Sequence, residues 1–132
     1  KNDKIVLEKW FLIKSSYNNY YFDGINSIKD VLKNKNFEYK NPNFVRAILG
    51  GFQNNNIELF HAKDNSGYKF VADQIILIDK INPQTAARII TPMTNISKFN
   101  NNTKNRIKKY LNLILKSNPS NDVFEVISKS LN

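Results

Sequence analysis

An all-α fold, built of antiparallel helix pairs stacked as an α-superhelix, is predicted for this 132-residue chain by three features. Apolar residues recur at helical spacing in about six or seven segments of roughly 10 to 17 residues, separated by short polar breaks. Asn, Ser and Pro stand just before several of these segments, where they cap or start helices. No segment shows sustained period-two alternation bounded by hairpin turns. Such helices suit either a bundle or stacked hairpins. Their apolar breadth favours the stack, since a helix apolar on more than one side is covered from more than one side. No fixed sequence repeat is legible.

Lys4 to Ser15 carries Val6, Trp10, Ile13 and Tyr17 at helical spacing, widened by Leu7 and Phe11. A first helix with a large buried face is expected there, with Trp10 as a core anchor. Asn18 to Asp23 is a polar, aromatic-bearing connection. Ile25, Ile28 and Leu32 mark a second helix ending in Lys33-Asn34-Lys35-Asn36, expected to lie antiparallel beside its partner. Asn41-Pro42-Asn43 caps a third, whose stripe is Val45, Ile48, Leu49 and Phe52, with Arg46 on the flank. Gly50-Gly51 implies either close helix contact or an early stop. Ile57 to Phe60 is a short helical turn.

The central pair of helices follows. Asp64-Asn65-Ser66-Gly67 supplies a turn and a Ser cap, so a helix is expected to begin near Gly67. Its apolar residues lie on two faces, Tyr68, Val71, Ala72 and Ile75 on one and Phe70, Leu77, Ile78 and Ile81 on another, which predicts cover from two sides. Asn82-Pro83 starts the next helix, with Ala86, Ile89, Ile90 and Met93 inward and Gln84, Arg88 and Thr91 on the opposite, polar side. Pro92 either kinks or splits that helix. Asn100 to Thr103 caps a helix with Ile107, Tyr110, Leu111 and Ile114 inward. Ser120 caps a last one with Val123, Phe124, Ile127 and Leu131 inward.

A chain of this length suits one domain, residues 1–132, burying roughly two-thirds of its unfolded surface. The absence of cysteine excludes disulfides and thiolate chemistry and fits a cytoplasmic, reducing compartment. No basic-apolar-small leader or long uncharged run is present, so no membrane partner is expected. The net charge of +9 raises nucleic acid as a partner. Nearly all of it is Lys, however, spread along the chain. The densest run, Lys104 to Lys109, reads as the solvated face of an amphipathic helix without an aromatic RNA platform, so no nucleic-acid partner is expected.

Catalytic chemistry is hard to place in these residues. His61 is the single histidine and H-E-x-x-H is absent, so no metal site can be completed. No phosphate-binding Gly-rich loop or nucleophile elbow occurs. His61 reads as a structural hydrogen-bonding residue, and Asp73 and Asp79 as unpaired for acid–base work. Catalytic residues are therefore none, and the chain alone is expected to be inactive.

Five stretches carry a resemblance: IVLEKWF (Ile5 to Phe11), NPNFVRAILGGF (Asn41 to Phe52), FHAKDNSGYKFVADQI (Phe60 to Ile75), DKINPQTAARI (Asp79 to Ile89) and DVFEVISKSL (Asp122 to Leu131). In this order they resemble the C-terminal region of the alanyl aminopeptidases, the bacterial-type aminopeptidase N family of zinc metallopeptidases. Asn65 stands where the family more often has Gly, a departure that Asn tolerates in left-handed geometry. Thr91 to Phe99 departs further.

The resemblance implies the final part of a helical domain that curls over a separate zinc-bearing domain upstream. That upstream domain of the same polypeptide would carry H-E-x-x-H, its distal Glu and G-A-M-E-N, and hence the zinc. It also implies that Gln84 lines the pocket for the substrate's N-terminal side chain, and that Arg46 and Arg88 face the active-site cavity. From spacing alone the Gln84/Arg88 face is an ordinary solvated surface. A guanidinium nonetheless suits peptide carbonyls or a C-terminal carboxylate, since it offers a planar fork of donors. Arg46 and Arg88 are two of only three Arg in a Lys-rich chain, the third being Arg106. The expected function is the non-catalytic C-terminal domain of an enzyme that hydrolyses N-terminal residues from peptides, walling the chamber and orienting the peptide substrate. A free-standing helical module that binds a protein or peptide is the alternative.

Overall fold

The computed structural model describes residues 2–17 and 24–132, and the expected connection from Asn18 to Asp23 lies outside the described residues. The described residues form α1 (Asn2–Ser16), α2 (Asn26–Leu32), α3 (Pro42–Asn55), α4 (Ile57–Phe60), α5 (Ser66–Asp79), α6 (Pro83–Thr94), a 3-10 turn (Ile96–Lys98), α7 (Asn101–Leu115) and α8 (Asn121–Leu131). No strand occurs among them, and the fold is all-α. The chain divides into two compact units, Lys1–Gly67 and Tyr68–Asn132.

In the first unit α1 packs chiefly on α3. Phe11, fully buried, sets its ring edge-on 5.1 Å from Phe44 and 5.9 Å from Phe37. Near the other end Gly51 lets the two backbones approach, since a Cβ there would stand 2.8 Å from Leu12 Cδ1 and 3.2 Å from the Leu12 carbonyl oxygen. Close contact is therefore the role of this glycine, and α3 runs on to Asn55 without an early stop. Asn55 Nδ2 donates to Ser16 Oγ at 3.0 Å, and Asn56 Nδ2 to the Ser15 carbonyl at 3.1 Å. The C-terminal end of α1 thus meets the C-terminal end of α3, while Glu8 and Lys9 share a groove with Asn43 and Arg46 near the other ends. The two helices run in the same direction, as the first members of successive stacked pairs do.

The face that α1 buries is not the expected one. Phe11, Ser15 and Ser16 are buried, whereas Val6, Trp10, Ile13 and Tyr17 are exposed, so Trp10 is not a core anchor. At 100° per residue Phe11 and Ser15 lie on the opposite side of the helix from that apolar stripe. The small serines are what permit the approach to α3. Hydrophobic spacing ranked the bulkier stripe first because it carries no information about backbone proximity.

The caps follow the sequence closely. Asn41 Oδ1 accepts from the N–H groups of Asn43 (3.0 Å) and Phe44 (3.2 Å), with Pro42 at the first helical position of α3. Asn65 adopts φ 65°, α5 begins at Ser66, and the Asp64 carboxylate accepts the Ser66 N–H at 2.9 Å. Gly67 lies against main chain: a Cβ would stand 2.6 Å from the Leu59 carbonyl oxygen and closer still to that of Phe60.

In the second unit Tyr68, Phe70, Val71, Ala72, Ile75 and Ile78 of α5 are buried, while Leu77 and Ile81, expected under cover, are partly exposed. Tyr68 and Tyr110 of α7 place their ring centres 6.2 Å apart, and the Arg106 guanidinium lies 5.0 Å from the Tyr68 ring. Asp79 ends α5 by accepting from the Ser120 N–H (2.7 Å) and the Ser120 hydroxyl (2.5 Å). Ser120 Oγ in turn accepts the Val123 N–H at 3.3 Å, so one serine caps α8 and ties it to α5. Val123 and Ile127 point inward; Phe124, expected inward, is exposed because it stands one residue off that line. α7 starts on Asn100, whose side chain accepts the Thr103 N–H at 2.9 Å, and buries Ile107, Tyr110, Leu111 and Ile114.

Candidate substrate-facing residues

α6 begins where Asn82 Oδ1 accepts the Thr85 N–H at 3.1 Å and Pro83 takes the first helical position. It buries Ala86, Ile89, Ile90 and Met93 and packs chiefly on α8. That anchoring fixes the opposite side, where Gln84 and Arg88 are exposed one turn apart. Neither side chain makes a hydrogen bond or ion pair among the described residues. Thr91, the next residue on this side, spends its hydroxyl on the Ala87 carbonyl at 3.0 Å. Pro92 has no N–H to give the Arg88 carbonyl, and the helix ends two residues later, followed by the 3-10 turn that buries Ile96. The helix is therefore terminated soon after Pro92, and the polar face is confined to its first two and a half turns.

Arg46 belongs to the first unit. It is exposed on α3, where its guanidinium donates to the Asn43 side chain one turn earlier. It borders a groove of about 250 Å³ lined by Glu8, Lys9, Leu12, Asn43, Arg46 and Ala47. Glu8 and Lys9 carry no motif in the sequence. Their only signal was their position on α1, and finding them required knowing that α1 and α3 run side by side in one direction. The groove is of mixed charge, with one carboxylate and two cations at its wall.

The remaining candidates resolve into structure. His61 sets its ring 4.7 Å from that of Phe60 at the end of α4. Asp79 holds Ser120, and Asp73 pairs with Lys69 at 2.8 Å on the exposed side of α5. The pair with Asp73, through its hydrogen bond first, raises the Lys69 pKa. Burial raises that of the Tyr68 phenol, partly opposed by the nearby Arg106 charge. In the basic run, Arg106 lies over Tyr68, Lys109 sits 5.7 Å from the Tyr110 ring, and Lys104 and Lys108 are half-buried. No three His, Cys, Asp or Glu side chains converge among the described residues, and no helix there is long and apolar enough to cross a membrane. The donor set needed for a zinc ion is thus not assembled by the described residues.

Comparison with known proteins places these helices in context. The whole chain, residues 1–132, matches the family described as "Domain of unknown function (DUF3458_C) ARM repeats". It is 35% identical to aminopeptidase N of Haemophilus influenzae over 99% of this chain and 15% of that protein. Against aminopeptidase N of Escherichia coli the identity is 28%, over 96% of this chain and 14% of the relative. Among solved structures, Legionella pneumophila aminopeptidase A in complex with aspartic acid superimposes with a TM-score of 0.89 at 33% identity, covering 98% of this chain and 15% of that one. The chain spans about 15% of the length of the relatives it matches.

Proposed function

Because this chain belongs to the DUF3458_C family of ARM-repeat domains, and is a helical C-terminal domain of aminopeptidase N homologues, we propose that it serves as the non-catalytic part of a zinc aminopeptidase. In this reading a catalytic domain elsewhere in the same polypeptide supplies the zinc and the bond-breaking groups. This domain walls the chamber and orients the peptide. The observation that carries the reading is a family match along the whole chain, joined to a polar face of α6 whose Gln84 and Arg88 are open to a ligand.

The chemistry asked of these residues is binding. Arg88 presents paired N–H donors suited to a backbone carbonyl or a C-terminal carboxylate. Gln84, one turn earlier, offers both a donor and an acceptor beside the substrate's first side chain. In the first unit Arg46, oriented by Asn43, offers a guanidinium of the same chemistry. Such contacts hold the reacting peptide in register, which raises the fraction of bound complexes in attack geometry. A cytoplasmic site of action belongs to the same proposal.

The direct test is a release assay. The polypeptide of full aminopeptidase length that carries this chain should liberate N-terminal residues from short peptides and lose that activity on zinc chelation. The 132-residue chain alone should liberate none. Release by the isolated chain, or none by the full-length polypeptide with zinc supplied, would overturn the assignment.

A further inference from the structure

The groove between α1 and α3 carries charges that do not neutralise one another. Its wall holds the Glu8 carboxylate, the Lys9 ammonium and the Arg46 guanidinium, and among the described residues no ion pair joins Glu8 to either cation. Arg46 donates instead to Asn43, itself a lining residue. An acid and two bases held apart in one crevice are complementary to a ligand that carries one charge of each sign. The rest of the lining is apolar: Ala47 is buried, and Leu12, 40% exposed, leans on α3 beside Gly51. At about 250 Å³ the groove falls below the range of about 300–1,000 Å³ typical of drug-sized ligands, so its occupant is small. Every lining residue belongs to α1 or α3, and the contact of Phe11 with Phe44 and the Asn55–Ser16 hydrogen bond fix that pair of helices. At 100° per residue Glu8 and Leu12 lie on the same side of α1 as Phe11 and Ser15, the side packed on α3. The shape of the groove is therefore set inside the first unit.

We propose that this groove binds a free α-amino acid as its zwitterion. The Arg46 guanidinium, a planar fork of donors, receives the carboxylate together with the Lys9 ammonium. The Glu8 carboxylate accepts from the α-ammonium, and its half-buried position leaves that contact less screened than one in open water. The amino acid's own side chain lies on Leu12 and Ala47, which offer apolar surface without a polar group to read it. A small aliphatic side chain suits that floor. The choice of an amino acid over other zwitterions rests on the aminopeptidase reading, because cleavage of N-terminal residues releases this class of molecule.

The test uses the full-length polypeptide and L-photo-leucine, an α-amino acid whose diazirine cross-links under ultraviolet light, with adducts mapped by mass spectrometry. Saturable adducts should form within residues 8–12 or 43–47. L-Leucine should compete for them. Leucinamide, which lacks the carboxylate, and 4-methylpentanoate, which lacks the ammonium, should each compete about ten-fold less well or worse. Glu8→Gln removes the negative charge at nearly constant volume and should cut labelling of the groove about ten-fold or more. Lys9→Gln, on the exposed rim, should lower it only about two- to three-fold, and it keeps the test decisive if the Glu8 variant does not fold. No saturable adduct at these residues, equal competition by the singly charged analogues, or undiminished labelling in either variant once folded overturns the proposal. An active aminopeptidase without these adducts refutes the groove alone, whereas the adducts in a polypeptide that releases nothing refute the functional reading alone.

Discussion

Replacing Gly67 by Ala sets two opposed effects against each other at one position. In an open helix the change stabilises by up to about 1 kcal/mol, because glycine loses more backbone entropy on folding. At Gly67 the new methyl would lie 2.6 Å from the Leu59 carbonyl oxygen and nearer still to that of Phe60. Both neighbours are main chain, so no rotamer change relieves the contact. Either α4 or the start of α5 must move. Overpacking of this kind costs about 1–3 kcal/mol, and with immovable neighbours the upper end applies, leaving a net loss of about 2 kcal/mol. For a chain of 132 residues that is a fall of roughly 8 °C in Tm. Gly50 provides the internal control, since a Cβ there meets nothing within 4 Å. Gly50→Ala should raise Tm by a few degrees. Thermal unfolding followed by circular dichroism at 222 nm compares the three proteins. A Gly67→Ala protein as stable as wild type would refute the close approach of Gly67 to the Leu59 and Phe60 carbonyls.

Three further outcomes follow from the same structure. Asp79→Ala removes the acceptor of two Ser120 hydrogen bonds and should destabilise by about 2–3 kcal/mol in urea titration, while Ser120→Ala, which also loses the α8 cap, should cost a similar amount. The double variant should be less than additive, because the two side chains share one interaction. Tyr68, with its pKa raised in the fold, stays protonated after the unfolded chain begins to ionise near about pH 10. The unfolded state then binds fewer protons than the native one, so stability falls as pH rises through that range. Tyr68→Phe should reduce the slope of stability against pH above about pH 10, although the Lys69–Asp73 pair, lost in the same window, leaves a residual slope.

Much of the architecture was legible because capping is local chemistry. Asn41, Asn82, Asn100 and Ser120 all cap the helices that their positions implied, and the inward stripes of α3, α6 and α7 are the expected ones. What failed was the choice between faces where a helix carries more than one. On α1 the bulky stripe stands open and the serine side is packed, because Gly51 and Ser16 govern how near two backbones can come. Phe124, Leu77 and Ile81 failed for a related reason, since hydrophobicity states what a residue can bury and not which neighbour arrives. Of the candidate site, spacing placed Gln84 and Arg88 on one polar side of α6, and only the resemblance to a family gave that side a task. The groove beside Arg46 needed the α1–α3 pairing and was illegible in the sequence.

The central claim is that Arg88 grips the peptide beyond the residue being removed. Its most direct test is the full-length polypeptide carrying Arg88→Ala, assayed in parallel on a tripeptide and on an aminoacyl p-nitroanilide with the same first residue. The anilide has no following carbonyl or carboxylate for a guanidinium to hold. Loss of a charged hydrogen bond of about 1.5–3 kcal/mol predicts a fall in kcat/KM on the tripeptide of roughly 10- to 150-fold, with the anilide nearly unchanged. An equal effect on both substrates, or none on either, would contradict it.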